Sequence, residues 1–191
     1  DKEKGPFPLV AASIWAKSKT KPRKVALSTF TPSSGNAVIC ETSYGIEPLF
    51  AIAYEQNVLG GERFTYINPI FVRLLRERGL YSDRLIEKII NNHGSVTGLK
   101  EIPSDMQKIF RVAHDISWQD HIKMQSAFQK WTDNAITKTI NMSSQVTPND
   151  IKDAYIMAWK LGCKGLTIYR DKTKHNQVIE FGKVGDKAKY S

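Results

Sequence analysis

Ala135-Ile136-Thr137-Lys138-Thr139-Ile140-Asn141-Met142 alternates with a period of two and is rich in β-branched residues, the pattern of a strand. Thr147-Pro148-Asn149-Asp150 then gives a strong helix start, with a capping threonine and proline at the first helical position. Ile151, Ala154, Tyr155 and Ala158 follow at helical spacing, and Gly162 stops the helix. Gly165-Leu166-Thr167-Ile168-Tyr169 reads as a second strand. Strand, helix, strand in this order implies a parallel crossover, so an α/β fold is expected.

Upstream, Val25-Ala26-Leu27-Ser28-Thr29-Phe30-Thr31 reads as a strand that Pro32 ends. Asn36 to Tyr44 reads as a short helix stopped by Gly45, and the apolar run Leu49 to Tyr54 as a buried strand. The middle is helical and forms an insertion of about residues 68–131. Asn68-Pro69 starts one helix, with Ile70, Phe71, Leu74 and Leu75 on one face and Gly79 at its end. Ser82 caps the next, with Leu85, Ile86, Ile89 and Ile90 inward. Ser104 with Gln107 has a capping-box pattern before Met106, Ile109, Phe110 and Ala113. Ser117 with Asp120 starts a fourth helix carrying Met124, Phe128 and Trp131, expected in a core or on a packing surface. Residues 1–24 read as a loop with one helical turn near Ile14-Trp15, and 172–191 as a basic flexible tail.

The 191 residues suffice for one domain with a real core, and no apolar run reaches the ~20 residues that span a bilayer. The chain opens on Asp1 rather than methionine, as a processed chain or fragment would. Two cysteines, Cys40 and Cys163, are too few for a disulfide framework, which points to a reducing, cytoplasmic setting. No Cys/His cluster offers a zinc site. The formal charge of +9 admits a nucleic-acid partner, but the lysines gather in Lys17 to Lys24 and Lys172 to Lys189 without interleaved aromatics. A phosphorylated small substrate would use the same field.

Pro32-Ser33-Ser34-Gly35-Asn36 lies between a strand and a helix start. Helix N-termini carry unpaired N–H groups and partial positive charge, and small residues let a phosphate approach the backbone. The same residues also make an ordinary turn with a serine cap. Both readings stand on composition alone.

Three segments resemble the ribonucleotide reductases, chiefly the adenosylcobalamin-dependent class. The first is Val25 to Pro48, ending Thr42-Ser43-Tyr44-Gly45-Ile46-Glu47-Pro48. The second is His121 to Ala135, with Gln125-Ser126-Ala127-Phe128-Gln129-Lys130-Trp131, continuing through Lys138-Thr139-Ile140-Asn141. The third is Ala154 to Asp171, with Leu161-Gly162-Cys163-Lys164-Gly165. The resemblance runs from about Gly5 to Val178. It implies the C-terminal part of a ten-stranded α/β barrel and a substrate-phosphate role for Pro32, Ser33, Ser34, Gly35 and Asn36. This chain has Ser34-Gly35 where the cobalamin class has Gly-Ser/Thr.

The family's radical chemistry needs a thiyl cysteine in Asn-x-Cys-x-Glu and two further cysteines, and this sequence contains no Asn-x-Cys-x-Glu. The resemblance therefore implies no catalytic residue here. It implies a need for the N-terminal portion of the reductase, adenosylcobalamin in the assembled enzyme, a ribonucleoside di- or triphosphate substrate, and a thiol reductant such as thioredoxin. The alternative is a non-catalytic nucleotide-binding module derived from the same family. Tyr169 stands alone where the iron-dependent class has two adjacent tyrosines. It and Cys163 are candidate near-site residues, although each also reads as ordinary packing. Cys40 reads as core of the short helix. His93, His114, His121 and His175 lack metal spacing and read as surface or helix-end residues. Glu47 reads as a structural hydrogen-bonding residue.

Overall fold

The computed structural model describes residues 3–31, 33–40, 42–57, 63–171 and 173. The N-terminal stretch holds two short 3-10 turns, Val10–Ala12 and Ile14–Lys17, the second capped by the Ser13 hydroxyl. The Val25–Thr31 segment is less of a strand than expected. It meets the sheet only at Phe30, which bridges Ile136 in parallel. Just before this bridge the Asp133 carboxylate takes the N–H groups of Leu27 and Ser28, at 2.8 and 3.2 Å. Helix α1, Ser34–Cys40, starts earlier and ends sooner than expected; Thr42 donates back to the Ala37 carbonyl and closes it.

The apolar run at Leu49 does not join the parallel sheet. Only its end enters strand β1, Ala53–Asn57, which pairs antiparallel with β2, Arg63–Ile67. Ala51, Ile52 and Ala53 are buried because the run threads the helical insertion: Ile52 bonds Gly94 and Asn68, and Leu49 bonds Ala113. The insertion comprises α2, Pro69–Glu77, α3, Asp83–Asn91, α4, Ser104–Ile109, and the short turn Ala113–Asp115. Asn68 and Ser82 cap α2 and α3 as their sequences require. Phe71, Leu75, Leu85, Ile86, Ile89, Ile90, Met106 and Phe110 make its core.

Two apolar positions differ from expectation: Ile70 and Ile109 are 54% and 72% exposed. Both stand on the solvent side of a short helix whose neighbours, Phe71 and Phe110, already fill the core by stacking edge to face. Gln107 forms no capping box. Its amide instead binds the loop before α4, at Gly98, Leu99 and Ile102.

Helix α5, Trp118–Gln129, is capped by Ser117. Met124 and Phe128 lie on its exposed side, Trp131 is exposed just past its end, and its buried face is His121, Ile122, Gln125 and Gln129. Strand β3, Thr139–Met142, leads to α6, Pro148–Lys160, which the reciprocal Thr147–Asp150 box opens. Gly162, at φ +78°, ends α6, and β4, Thr167–Arg170, returns parallel to β3 with Asn141 opposite Tyr169. The expected crossover is present. Ile140, Met142, Ile122, Ala154 and Ala158 form the core between sheet and helices. Tyr155 is half exposed, because Ala154 and Ala158 occupy the buried stripe.

The hydrogen-bond directions order the sheet. Met142 uses its carbonyl toward the β4 side, at Asp171, whereas Thr137 donates to the Phe30 carbonyl. Alternate residues of a strand point their peptide groups to opposite neighbours. Residues 137, 139 and 141 therefore face the Phe30 side, and β3 lies between Phe30 and β4. This partial parallel sheet with a helical insertion agrees with the α/β barrel segment that the resemblance implies. No helix among the described residues is long and apolar enough to cross a membrane.

Gly94 joins insertion and hairpin through a close backbone contact. Its φ is +70°, and a Cβ there would lie 2.4 Å from the Ala51 Cβ. Gly94→Ala is expected to cost at least ~2 kcal/mol, from backbone strain and overpacking together, measured by urea unfolding.

Candidate functional site

The Phe30 strand stops one step short of covering β3. Thr137 N–H reaches the Phe30 carbonyl at 3.0 Å, and the next amide on that side, Thr139 N–H, has no strand opposite it. The Glu47 carboxylate fills the gap, with Oε1 2.6 Å from the Thr139 nitrogen. A side chain from Gly45-Ile46-Glu47-Pro48 thus stands where a strand carbonyl would.

The other Glu47 oxygen, Oε2, accepts from Lys138 Nζ at 2.8 Å. Lys138 is 1% exposed, and its ammonium donates to three acceptors: Glu47, the Thr139 carbonyl at 3.2 Å, and His121 Nδ1 at 2.9 Å. His121 Nε2 lies 2.9 Å from the Ala113 carbonyl, which only accepts. The proton must therefore be on Nε2, leaving Nδ1 as acceptor for the lysine. Three groups distant in sequence are locked into one protonation pattern: carboxylate, ammonium, neutral imidazole. Burial is the main cause pushing the His121 ring below the ordinary imidazole range, and the Lys138 charge adds to it; the Ala113 hydrogen bond works the other way. Removing one partner of such a buried pair costs about 3–5 kcal/mol, because the other charge stays buried and uncompensated.

His121 is thus not a surface residue as expected; the α5 face toward the sheet buries it. Lys138 escaped notice as a site residue. The signal was its place in the period-two series Ile136, Lys138, Ile140, Met142, which puts a lysine at a core position. Glu47 is the structural hydrogen-bonding residue expected.

A cavity of about 460 Å³ opens beside this cluster, lined by Ile46, Pro48, Ile116, Met124 and Phe128 around the charged groups. A second, of about 320 Å³, lies at the C-terminal ends of β3 and β4, between Ser143, Ser144 and Asp171 and the insertion's His93, His114 and Asp115. Burial lowers the His114 pKa, with Asp171 opposing. Among the described residues no three His, Cys, Asp or Glu side chains could hold a metal ion.

The candidate phosphate loop leaves the carboxyl end of the Phe30 strand. Pro32 lies outside the described residues. Ala37 N–H makes the first helical bond, to the Ser33 carbonyl at 2.8 Å. The amides of Ser34, Gly35 and Asn36 lie ahead of that bond, without carbonyls inside the helix. Gly35 and Asn36 are exposed, and a Cβ on Gly35 would meet nothing within 4 Å. Cys40 is exposed on the last turn of α1 rather than core, since the helix buries Ala37 instead. The two near-site candidates are not brought together. Cys163 packs with the helical layer, where burial pushes its thiol up. Tyr169 stands on the opposite face of β4 from Ile168, which joins that layer. Glu41 and His175 lie outside the described residues.

The depressed His121 pKa fixes the sign of a pH effect. Below the ordinary imidazole value of about 6.5 the unfolded chain takes up a proton that the folded site resists. The cluster's stability should be fully present above that value and fall as pH drops through it toward the folded pKa. His121→Gln, which can present the same donor and acceptor without titrating, should flatten this part of the stability-against-pH curve in chemical denaturation.

Comparison with known proteins agrees with this architecture. Residues 18–169 match the family model described as "Ribonucleotide reductase, barrel domain". A vitamin B12-dependent ribonucleoside-diphosphate reductase of Thermoplasma acidophilum is 41% identical over 180 residues, covering 94% of this chain and 23% of that protein. One of Mycobacterium tuberculosis is 35% identical, covering 94% of this chain and 25% of that protein. The solved Actinobacillus ureae class Id ribonucleotide reductase alpha subunit superposes with a TM-score of 0.64 at 24% identity, over 80% of this chain and 28% of its own, and shares the fold. The chain thus spans about a quarter of the length of these relatives. With the parallel crossover, the inserted helices and the match across residues 18–169, this chain belongs to the ribonucleotide reductase barrel-domain family.

Proposed function

We propose that this chain is the C-terminal barrel segment of an adenosylcobalamin-dependent ribonucleoside-phosphate reductase, acting in the cytoplasm in deoxyribonucleotide synthesis. Its part is to bind and orient. The loop Pro32 to Asn36 holds the substrate phosphate through the first-turn amides of α1 and the Ser33 hydroxyl, which fixes the ribose relative to radical chemistry carried out elsewhere. The observation that carries this reading is the placement of the loop. It follows Phe30, whose single parallel bridge to Ile136 lies just ahead of β3, with Gly35 open to an approaching ligand.

Adenosylcobalamin would supply the initiating radical. The corrin itself supplies four nitrogen ligands to cobalt, so a protein need add at most one axial donor, and His121, with both ring nitrogens engaged, does not offer it. No step through the cofactor is assigned to this chain. The N-terminal portion of the protein is the proposed partner for cofactor and cysteines, with a thiol reductant such as thioredoxin completing turnover.

Two measurements test the reading. This chain combined with the N-terminal portion, adenosylcobalamin, a ribonucleoside diphosphate or triphosphate and a dithiol should form deoxyribonucleotide; no product with either substrate would reject it. In that assembly Gly35→Asp, which places a carboxylate at the proposed anion site, should raise KM at least ~10-fold with a smaller effect on kcat.

A further inference from the structure

The segment that carries the candidate loop is held by its ends. The chain on either side of it bonds the stretch running into β3 twice, at Phe30–Thr137 and at Glu47–Thr139. These anchors are two residues apart on one strand, about 6.6 Å. Between them, the described side chains of α1 pack little. Of its side chains with described surroundings, Ala37 is buried, whereas Gly35, Asn36, Ile39 and Cys40 are exposed, Ile39 by 82%. A helix this short has little intrinsic stability, and one buried alanine adds little to it. Among the described contacts, the two anchors are what fix its place.

The return anchor is the specific one. A carboxylate could meet a strand amide in several geometries, but Glu47 is fixed at both oxygens, by Thr139 N–H and by Lys138 Nζ. Lys138 is oriented in turn by His121 and the Thr139 carbonyl, and His121 by Ala113. The chain of contacts runs from α1's exit turn through β3 and α5 to the insertion.

We infer that Glu47, Lys138 and His121 are positioning residues for the phosphate loop, setting where the first turn of α1 stands over the carboxyl end of the sheet. None of the three needs to touch substrate. This inference rests on the proposed phosphate role of the loop for its effect on turnover, but not for its effect on loop position.

The test therefore reads both. In this chain with Cys163→Ser, a fluorophore on Cys40 reports local motion of α1 by time-resolved anisotropy. Lys138→Met should markedly increase the amplitude of fast probe motion, with the circular dichroism of the inserted helices kept. Lys138→Arg, which retains the charge, should restore part of the restriction. Where Lys138→Met does not fold, Glu47→Ala with Lys138→Met removes the anchor without leaving a buried charge, and the probe is read there. A folded variant with an unmoved probe overturns the inference. In the assembled reductase, Lys138→Met should raise KM about 10-fold with kcat little changed. A loosened probe with unchanged KM overturns the link to substrate. The Gly35→Asp control then separates the causes: if it raises KM, only the positioning role is lost; if it does not, the phosphate site itself is rejected.

Discussion

A buried ammonium holds this part of the molecule together. Lys138 sits at a core position just ahead of β3, and its charge is tolerable only because a carboxylate, an imidazole nitrogen and a carbonyl surround it. Each of those acceptors comes with a constraint. Glu47 must leave the α1 turn at one angle, His121 must be neutral and protonated on Nε2, and α5 must lie close enough to β3 to deliver it. An apolar residue at position 138 would pack against many arrangements of the same elements. The lysine accepts one, at the cost of desolvating a charge.

The same arrangement explains how the sheet can be interrupted there. The Phe30 strand pairs at a single bridge and then turns away, leaving a ladder amide uncovered. An uncovered buried N–H is costly, so the fold needs an acceptor that arrives without a strand attached. The Glu47 carboxylate meets that need and, being longer than a backbone carbonyl, lets the chain make its excursion through α1 before coming back.

Much of the architecture was legible in the sequence. The Thr147–Asp150 box, the Ser82 and Ser117 caps, and the stripe Leu85, Ile86, Ile89, Ile90 are local patterns, and local patterns survive into the fold. What the sequence hid is non-local. The run at Leu49 reads as a strand of the main sheet because its composition is that of one. It is instead captured by Gly94, Asn68 and Ala113, partners up to sixty-four residues away. The α5 face reads as Met124, Phe128 and Trp131 by hydropathy, yet the buried stripe is His121, Ile122, Gln125 and Gln129. Those polar groups meet specific partners, Gln125 the Gly165 carbonyl and Gln129 the carbonyls of Thr132 and Asn134. Hydrophobicity marks where burial is free of conditions and misses where burial depends on a distant acceptor.

Polar burial on α5 also divides the labour of the segment. The insertion has an apolar core of isoleucine, leucine and phenylalanine, which packing alone can stabilise. The parallel layer combines a smaller apolar core with the Gln125, Gln129, His121 and Lys138 bonds, which tie α5 to the chain leading into β3 and β4. An apolar contact surface permits sliding by fractions of an ångström, whereas hydrogen bonds to buried charges do not. The stricter layer is the one that carries the loop. Under the proposed phosphate role, such a loop requires accuracy more than stability, and the polar contacts that anchor it would meet that requirement.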